Sequence, residues 1–135
     1  MGKLHDFLMA NTIKRQVEKE VVLKSFPEPF VIHSITEAEN KRLVKASEYV
    51  EFNKKTHQKE IKVDNERYNT KLIVACCSDP NFNDAALQEK CGVVGAETLV
   101  NEMLKSGEYA TLLNEILDIN GFYDDINTLK EKAKN

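Results

Sequence analysis

Three cysteines and three histidines are the side chains best suited to chemistry in this 135-residue chain, and their spacing decides what they can do. A zinc or iron site needs Cys, His or carboxylates at ligand spacing, as in CxxC or HxxxH. His5, His33 and His57 lie in three separate segments, and neither motif occurs. A cysteine nucleophile needs a base within reach, and nothing in the spacing places His33 or His57 beside Cys76, Cys77 or Cys91. Cys76 and Cys77 are neighbours, so on a helix their side chains diverge by about 100°. An odd number of cysteines makes no disulfide framework, and buried free thiols in a reducing cytoplasm are the simple reading. Gly92 and Gly95 flank a helix junction with no preceding strand and no GK[ST], so they form no phosphate loop. No catalytic residue, metal site or cofactor is therefore expected, and the chain reads as a non-enzyme.

What remains is binding. Leu99, Met103, Tyr109, Leu112, Leu113 and Ile116 form an apolar stripe at helical spacing. Such stripes are usually core, but an accessible one captures a partner helix in a groove, and these six are the candidate partner-binding surface. A second candidate is a helix-turn-helix at Asp84 to Leu104, with Cys91 to Gly95 as the turn. A DNA-reading helix offers Arg, Lys, Asn or Gln to the bases and phosphates. This one reads AETLVNEML, and residues 81–110 hold five acids against two bases, which phosphates repel. A tight helix pair within a small bundle accounts better for it.

These residues have to be placed by short helices. From Asp64 to Phe122 four follow in succession, each with start and stop signals. Asp64 caps the first, carrying Tyr68, Leu72, Ile73, Cys76 and Cys77, and Pro80-Asn81 breaks it. Asn83 or Asp84 caps the second, which Gly92 ends. The third runs around Ala96 to Lys105, with Gly107 at its expected stop. The fourth carries Tyr109 to Leu117 before Gly121. None is long enough to be stable alone, so they bury their stripes against one another.

Upstream, Leu4 to Met9 reads as a helical turn or docking arm. Val17, Val21 and Leu23 alternate with Glu18 and Glu20, a strand with one wet face. The prolines of Phe26-Pro27-Glu28-Pro29 cannot continue a ladder, and Phe30 to Ile35 is a second strand. Thr36 and Glu39 form a capping box for a helix expected to reach about Phe52, with Leu43, Ala46 and Val50 on one stripe. Asn53 to Lys62 reads as an exposed lysine-rich loop with an extended end at Ile61 and Val63. Asp124 to Ala133 could form a last helix. The expected architecture is α+β and mainly α, one domain: an arm and β-hairpin over 1–35, a helical core over 36–122 and a tail helix over 123–135.

Charge is unevenly divided. Residues 1–63 carry 12 Lys/Arg against 9 Asp/Glu, and residues 64–135 carry 7 against 13, for the overall −3. An acidic chain is a poor general nucleic-acid binder. The longest apolar run, Leu72 to Cys77, falls far short of the roughly 20 residues of a membrane span. Asp6 interrupts the apolar N-terminus, so no signal peptide is read and an intracellular protein is expected.

One resemblance adds a function. Cys77, Pro80, Asn81, Phe82, Asn83 and Asp84, then Leu87, Gly92 and Val93, then Leu104, Gly107, Glu108, Tyr109, Leu112, Ile116, Asn120, Gly121 and Phe122 match in order the punctuation of one family. The chain resembles the XkdN-like phage tail assembly chaperones of contractile-tailed phages and phage-like elements. FLMANT, PFVIHSIT and the following charged helix fit as well. The Cys76-Cys77 pair with Cys91 departs from the pattern. The resemblance implies a non-catalytic chaperone in the cytoplasm of a bacterial host, absent from the mature virion. Its partners would be the tape measure protein and the tail tube protein, with no nucleic acid and no membrane, and the basic front and acidic back of the chain add self-association as a partner reading. It also implies a short form of a frameshifted gene. The other classes open are a small phage transcriptional regulator and a structural tail or head-completion protein.

Overall fold

The computed structural model describes residues 2–13 and 15–123, and the expected tail helix at Asp124 to Ala133 lies outside them. The described chain holds six helices and five short strands: α1 Lys3–Ala10, β1 Glu18–Val21, β2 Phe30–His33, α2 Glu37–Ala46, β3 Glu48–Asn53, β4 Gln58–Val63, α3 Asn65–Cys76, β5 Cys77–Asp79, α4 Ala85–Lys90, α5 Ala96–Met103 and α6 Ser106–Ile119. This is the expected α+β, helix-dominated architecture with a hairpin near the N-terminus.

That hairpin pairs β1 with β2 antiparallel, Glu18 opposite His33 through Val21 opposite Phe30. It gains a third strand that the sequence reading did not anticipate, since β5 pairs antiparallel with β2 through Val31–Asp79 and Ile32–Cys77. A three-residue strand carries too little periodicity to be read locally. It exists because the chain leaving α3 is held against β2. The sheet then buries Phe30 and Ile32 against α3 and α6, where Leu72, Ile73, Cys76, Leu112 and Ile116 meet Phe82, Leu99 and Val100. An ion pair between Lys19 and Glu115 ties β1 to α6 across the rim.

The helix starts follow local chemistry. The Thr36 hydroxyl accepts from the Glu39 amide at 3.2 Å, and the Glu39 carboxylate accepts from the Thr36 amide at 3.2 Å. Asp64 and Asp84 accept from Arg67 and Leu87 at 3.1 and 3.0 Å. Removing one such cap leaves an amide without its partner. We expect Thr36→Ala to cost about 1 kcal/mol. A thermal melt should fall by about 3–6 °C, and an unchanged melting point would show that α2 does not depend on its box.

Three expectations are corrected. The helix from Thr36 ends at Ala46 rather than near Phe52, and the segment read as helix end and lysine-rich loop is a second hairpin. Its register runs from Glu48 opposite Val63 to Asn53 opposite Gln58. The Ser47 hydroxyl is buried and donates to the Leu43 carbonyl at 2.8 Å, closing the helix. Beyond it Tyr49, Val50 and Phe52 are aromatic or β-branched, types that fit a pleated surface better than a helix. The Asn53 side chain accepts from the Lys55 and Thr56 amides, and His57 takes a φ of +58°, so the chain reverses without a glycine. Gly107, in turn, is not a stop but the second residue of α6. The preceding helix ends at Met103, and the buried Leu104 makes the corner.

Candidate functional site

The six stripe residues do not share one environment. Leu99, Leu112 and Ile116 have no exposed surface and lie in the core, while Met103, Tyr109 and Leu113 are half-buried at its edge. Both α5 and α6 cross α3, which takes the centre of each apolar face and leaves the margins. The Tyr109 hydroxyl is 2.8 Å from the Thr70 hydroxyl on α3, at a polar hollow lined also by Arg67, Glu97 and Asn101. Met103 faces a different surface.

Met103 and Leu87 line a mainly apolar cleft of about 220 Å³, walled by Phe26, Pro27 and Pro29 of the β1–β2 turn and by Pro80, with Glu28 and Asp79 also in its lining. The prolines that cannot join a ladder form a stiff wall here. Phe26 packs edge-on against Phe30, with ring centroids 4.9 Å apart at 79°. On its other side Met103 borders a hollow with Val93, Val94 and Thr98, and Val94 is 91% exposed. Methionine between an apolar cleft and this mixed hollow, which Glu102 also lines, is an adaptable contact residue. Nothing in the sequence marks Phe26, Leu87 and Val94 as contact residues, because a surface assembled from distant segments has no periodic signal.

Gln88 holds this corner. Its side-chain amide donates to the Phe82 carbonyl at 2.8 Å and accepts from the Gly95 amide at 3.0 Å. Asn120 has the same role at the end of α6. It accepts from the Ile35 amide at 2.9 Å, donates to the Ile116 carbonyl at 2.8 Å and lies 3.7 Å from the Cys76 sulfur. Gly121 follows at φ +80°, and the Phe122 amide returns to the Leu117 carbonyl at 3.1 Å. The Asn120-Gly121-Phe122 ending is thus a helix stop that also joins α6 to α3 and to the segment between β2 and α2.

The chemistry-bearing side chains are scattered. Cys76 and Cys77 are buried and Cys91 is exposed. His33 sits 3.1 Å from the Gln16 amide, and His57 packs near Phe52 at the far hairpin tip. Among the described residues no three His, Cys, Asp or Glu side chains gather where a metal ion could bind. Nor is any described helix long and apolar enough to cross a membrane. In the helix pair α4–α5, Leu99 and Val100 of the would-be reading helix point into the core, and Glu97 pairs with Lys71 at 3.1 Å.

Known proteins resemble this chain along most of its length. The family model of the phage XkdN-like tail assembly chaperone protein matches residues 4–134. The phage-like element PBSX protein XkdN of Bacillus subtilis strain 168 is 28% identical over 137 residues, spanning 96% of this chain and 91% of that one. The uncharacterized protein YqbN of the same strain is 29% identical over 136 residues, with the same coverage. The crystal structure of YqbN superposes with a TM-score of 0.66 at 25% identity, covering 90% of this chain and 98% of that one. The chain belongs to the phage XkdN-like tail assembly chaperone family.

Proposed function

We propose that this protein binds the tape measure protein during tail assembly, without turnover, in the cytoplasm of the bacterial host, and leaves before the virion is complete. Family membership supplies the assembly role, and the apolar cleft at Met103 is the observation that carries the binding. A long helical client exposes apolar stripes that aggregate in water. A cleft with a flexible methionine between rigid proline and aromatic walls suits one turn of such a stripe. Of the six stripe residues Met103 is the one in this cleft; Tyr109 opens on a different surface, Leu113 is half-buried, and Leu99, Leu112 and Ile116 lie in the core. Several copies would cover one client until tail tube protein displaces them.

The test is co-expression with the tape measure protein of the same gene cluster, followed by a pull-down. The expected result is a soluble complex with a client that is insoluble alone, and capture lost in Met103→Glu while the circular dichroism spectrum is unchanged. A client that stays soluble by itself and is not captured would overturn the proposal. Finding the chain in purified particles by mass spectrometry would favour a structural tail component instead.

A further inference from the structure

Among the described residues, segments 3–10 and 48–63 each carry an apolar surface with little packed on it. Helix α1 has no buried residue. Leu4, Phe7 and Leu8, at i, i+3 and i+4, make one stripe, and they are 68%, 53% and 50% exposed. The hairpin β3–β4 is the second. Its pairing register places Tyr49, Glu51, Asn53, Gln58, Glu60 and Lys62 on one face, where Lys62 pairs with Glu51 at 2.9 Å and Asn53 donates to Glu60 at 2.8 Å. The other face carries Val50, Phe52, Ile61 and Val63, which are 62%, 56%, 72% and 37% exposed. A two-stranded hairpin is marginal in water unless its apolar face is packed on something.

We infer that the protein self-associates by laying α1 of one copy across the apolar hairpin face of a second copy. The two surfaces match in length and charge. An eight-residue helix spans about 12 Å, and the face from Glu48 to Phe52 spans about 13 Å. Glu48 ends the face at the hairpin base, and Lys59, opposite Phe52, ends it near the tip. With its N-terminus over Glu48, α1 sets its free amides and Lys3 beside a carboxylate, while Asp6 of the same turn falls on the side of the helix opposite the Leu4, Phe7 and Leu8 stripe. Its C-terminal carbonyls, which have no basic residue in the last turn, then lie beside the Lys59 ammonium. The reverse orientation puts like charges together. Each copy offers one helix and one face, and the proposed arrangement is a two-fold pair in which each copy's helix meets the other's face. The seven side chains expose on the order of 100 Å² each, and counted in both contacts they reach the roughly 1,200–2,000 Å² of a stable interface. The inference does not rest on the client proposed above, since the Met103 cleft is elsewhere.

The experiment is sedimentation equilibrium of the full chain, with Phe7→Glu and Ile61→Glu, both at exposed positions that leave the core intact. The wild type should sediment at twice its 15.4 kDa mass. Each variant should dimerise at least about tenfold more weakly, the penalty for a charge at the centre of an apolar contact. In a Cys91→Ser background, Leu4→Cys with Glu48→Cys should oxidise to a covalent dimer. A monomeric wild type at high concentration would overturn the inference. So would a dimer that both variants leave unchanged. If only Ile61→Glu has an effect, something other than α1 covers the hairpin. If the paired cysteines close within one chain, the helix folds back on its own hairpin, and the second copy is excluded.

Discussion

Phe82→Ala is expected to destabilise the protein by about 3–5 kcal/mol, a large share of the 5–15 kcal/mol that holds a typical domain together. Phe82 has no exposed surface, although it lies in a turn rather than in a helix or strand. Two constraints hold it inward. Asp84 caps α4 two residues after it, and the Gln88 side chain clamps its carbonyl. Its ring packs in the same cluster as Leu72, Leu99 and Leu112, so alanine would open a cavity that these separately anchored helices cannot collapse to fill. Urea denaturation at neutral pH measures the effect. A loss below about 1 kcal/mol would mean that the turn repacks freely, and that the buried ring is not what joins the α4–α5 corner to the core.

The second large effect is alkaline. Burial pushes the Cys76 thiol up to about 11 and the Cys77 thiol up to about 12, from an ordinary 9.0. A hydrogen bond from Asn120 partly offsets this at Cys76, as does one from the Asp79 backbone at Cys77. Below pH 9 both the folded and unfolded chains keep these protons, and the stability is fully present. Above it the unfolded chain releases them while the fold retains them, so stability falls as pH rises, until the folded thiols themselves ionise near 11 and 12. Each thiol adds a loss on the order of 1 kcal/mol per pH unit across that window. Together they should remove several kcal/mol between pH 9 and 11. Burial also raises the Tyr68 hydroxyl, which adds to the loss in the same direction. Urea midpoints at pH 8, 9, 10 and 11 should drop steeply in the wild type and more gently in Cys76→Ala/Cys77→Ala. Equal slopes would assign the alkaline loss to other groups. A thiol reagent at pH 8 should label one cysteine, the exposed Cys91, and all three only after unfolding.

Much of this protein is determined by short-range chemistry that the sequence displays. Thr36, Asp64 and Asp84 cap helices because their side-chain oxygens reach amides three residues away, a contact needing no tertiary support. The alternation at Val17 to Leu23 and the β-branched run at Phe30 to Ile35 announce the first hairpin for the same reason. The absence of ligand spacing among Cys and His, and the ordered punctuation from Cys77 to Phe122, are likewise properties of the chain itself.

Tertiary structure decided the rest, wherever the partner is far away in sequence. Glu48 to Asn53 could extend a helix or pair as a strand. Only the backbone ladder with Gln58 to Val63 settles it, and that ladder leaves an apolar face uncovered. The three residues of β5 become a strand only because β2 lies alongside. An apolar stripe at 3.6-residue spacing reads alike whether it is buried or open. The crossing of α5 and α6 over α3 buried Leu99, Leu112 and Ile116 and left Met103, Tyr109 and Leu113 at the margin. Periodicity records that a helix has an apolar side, but what covers that side depends on segments that local hydrogen bonding cannot reach.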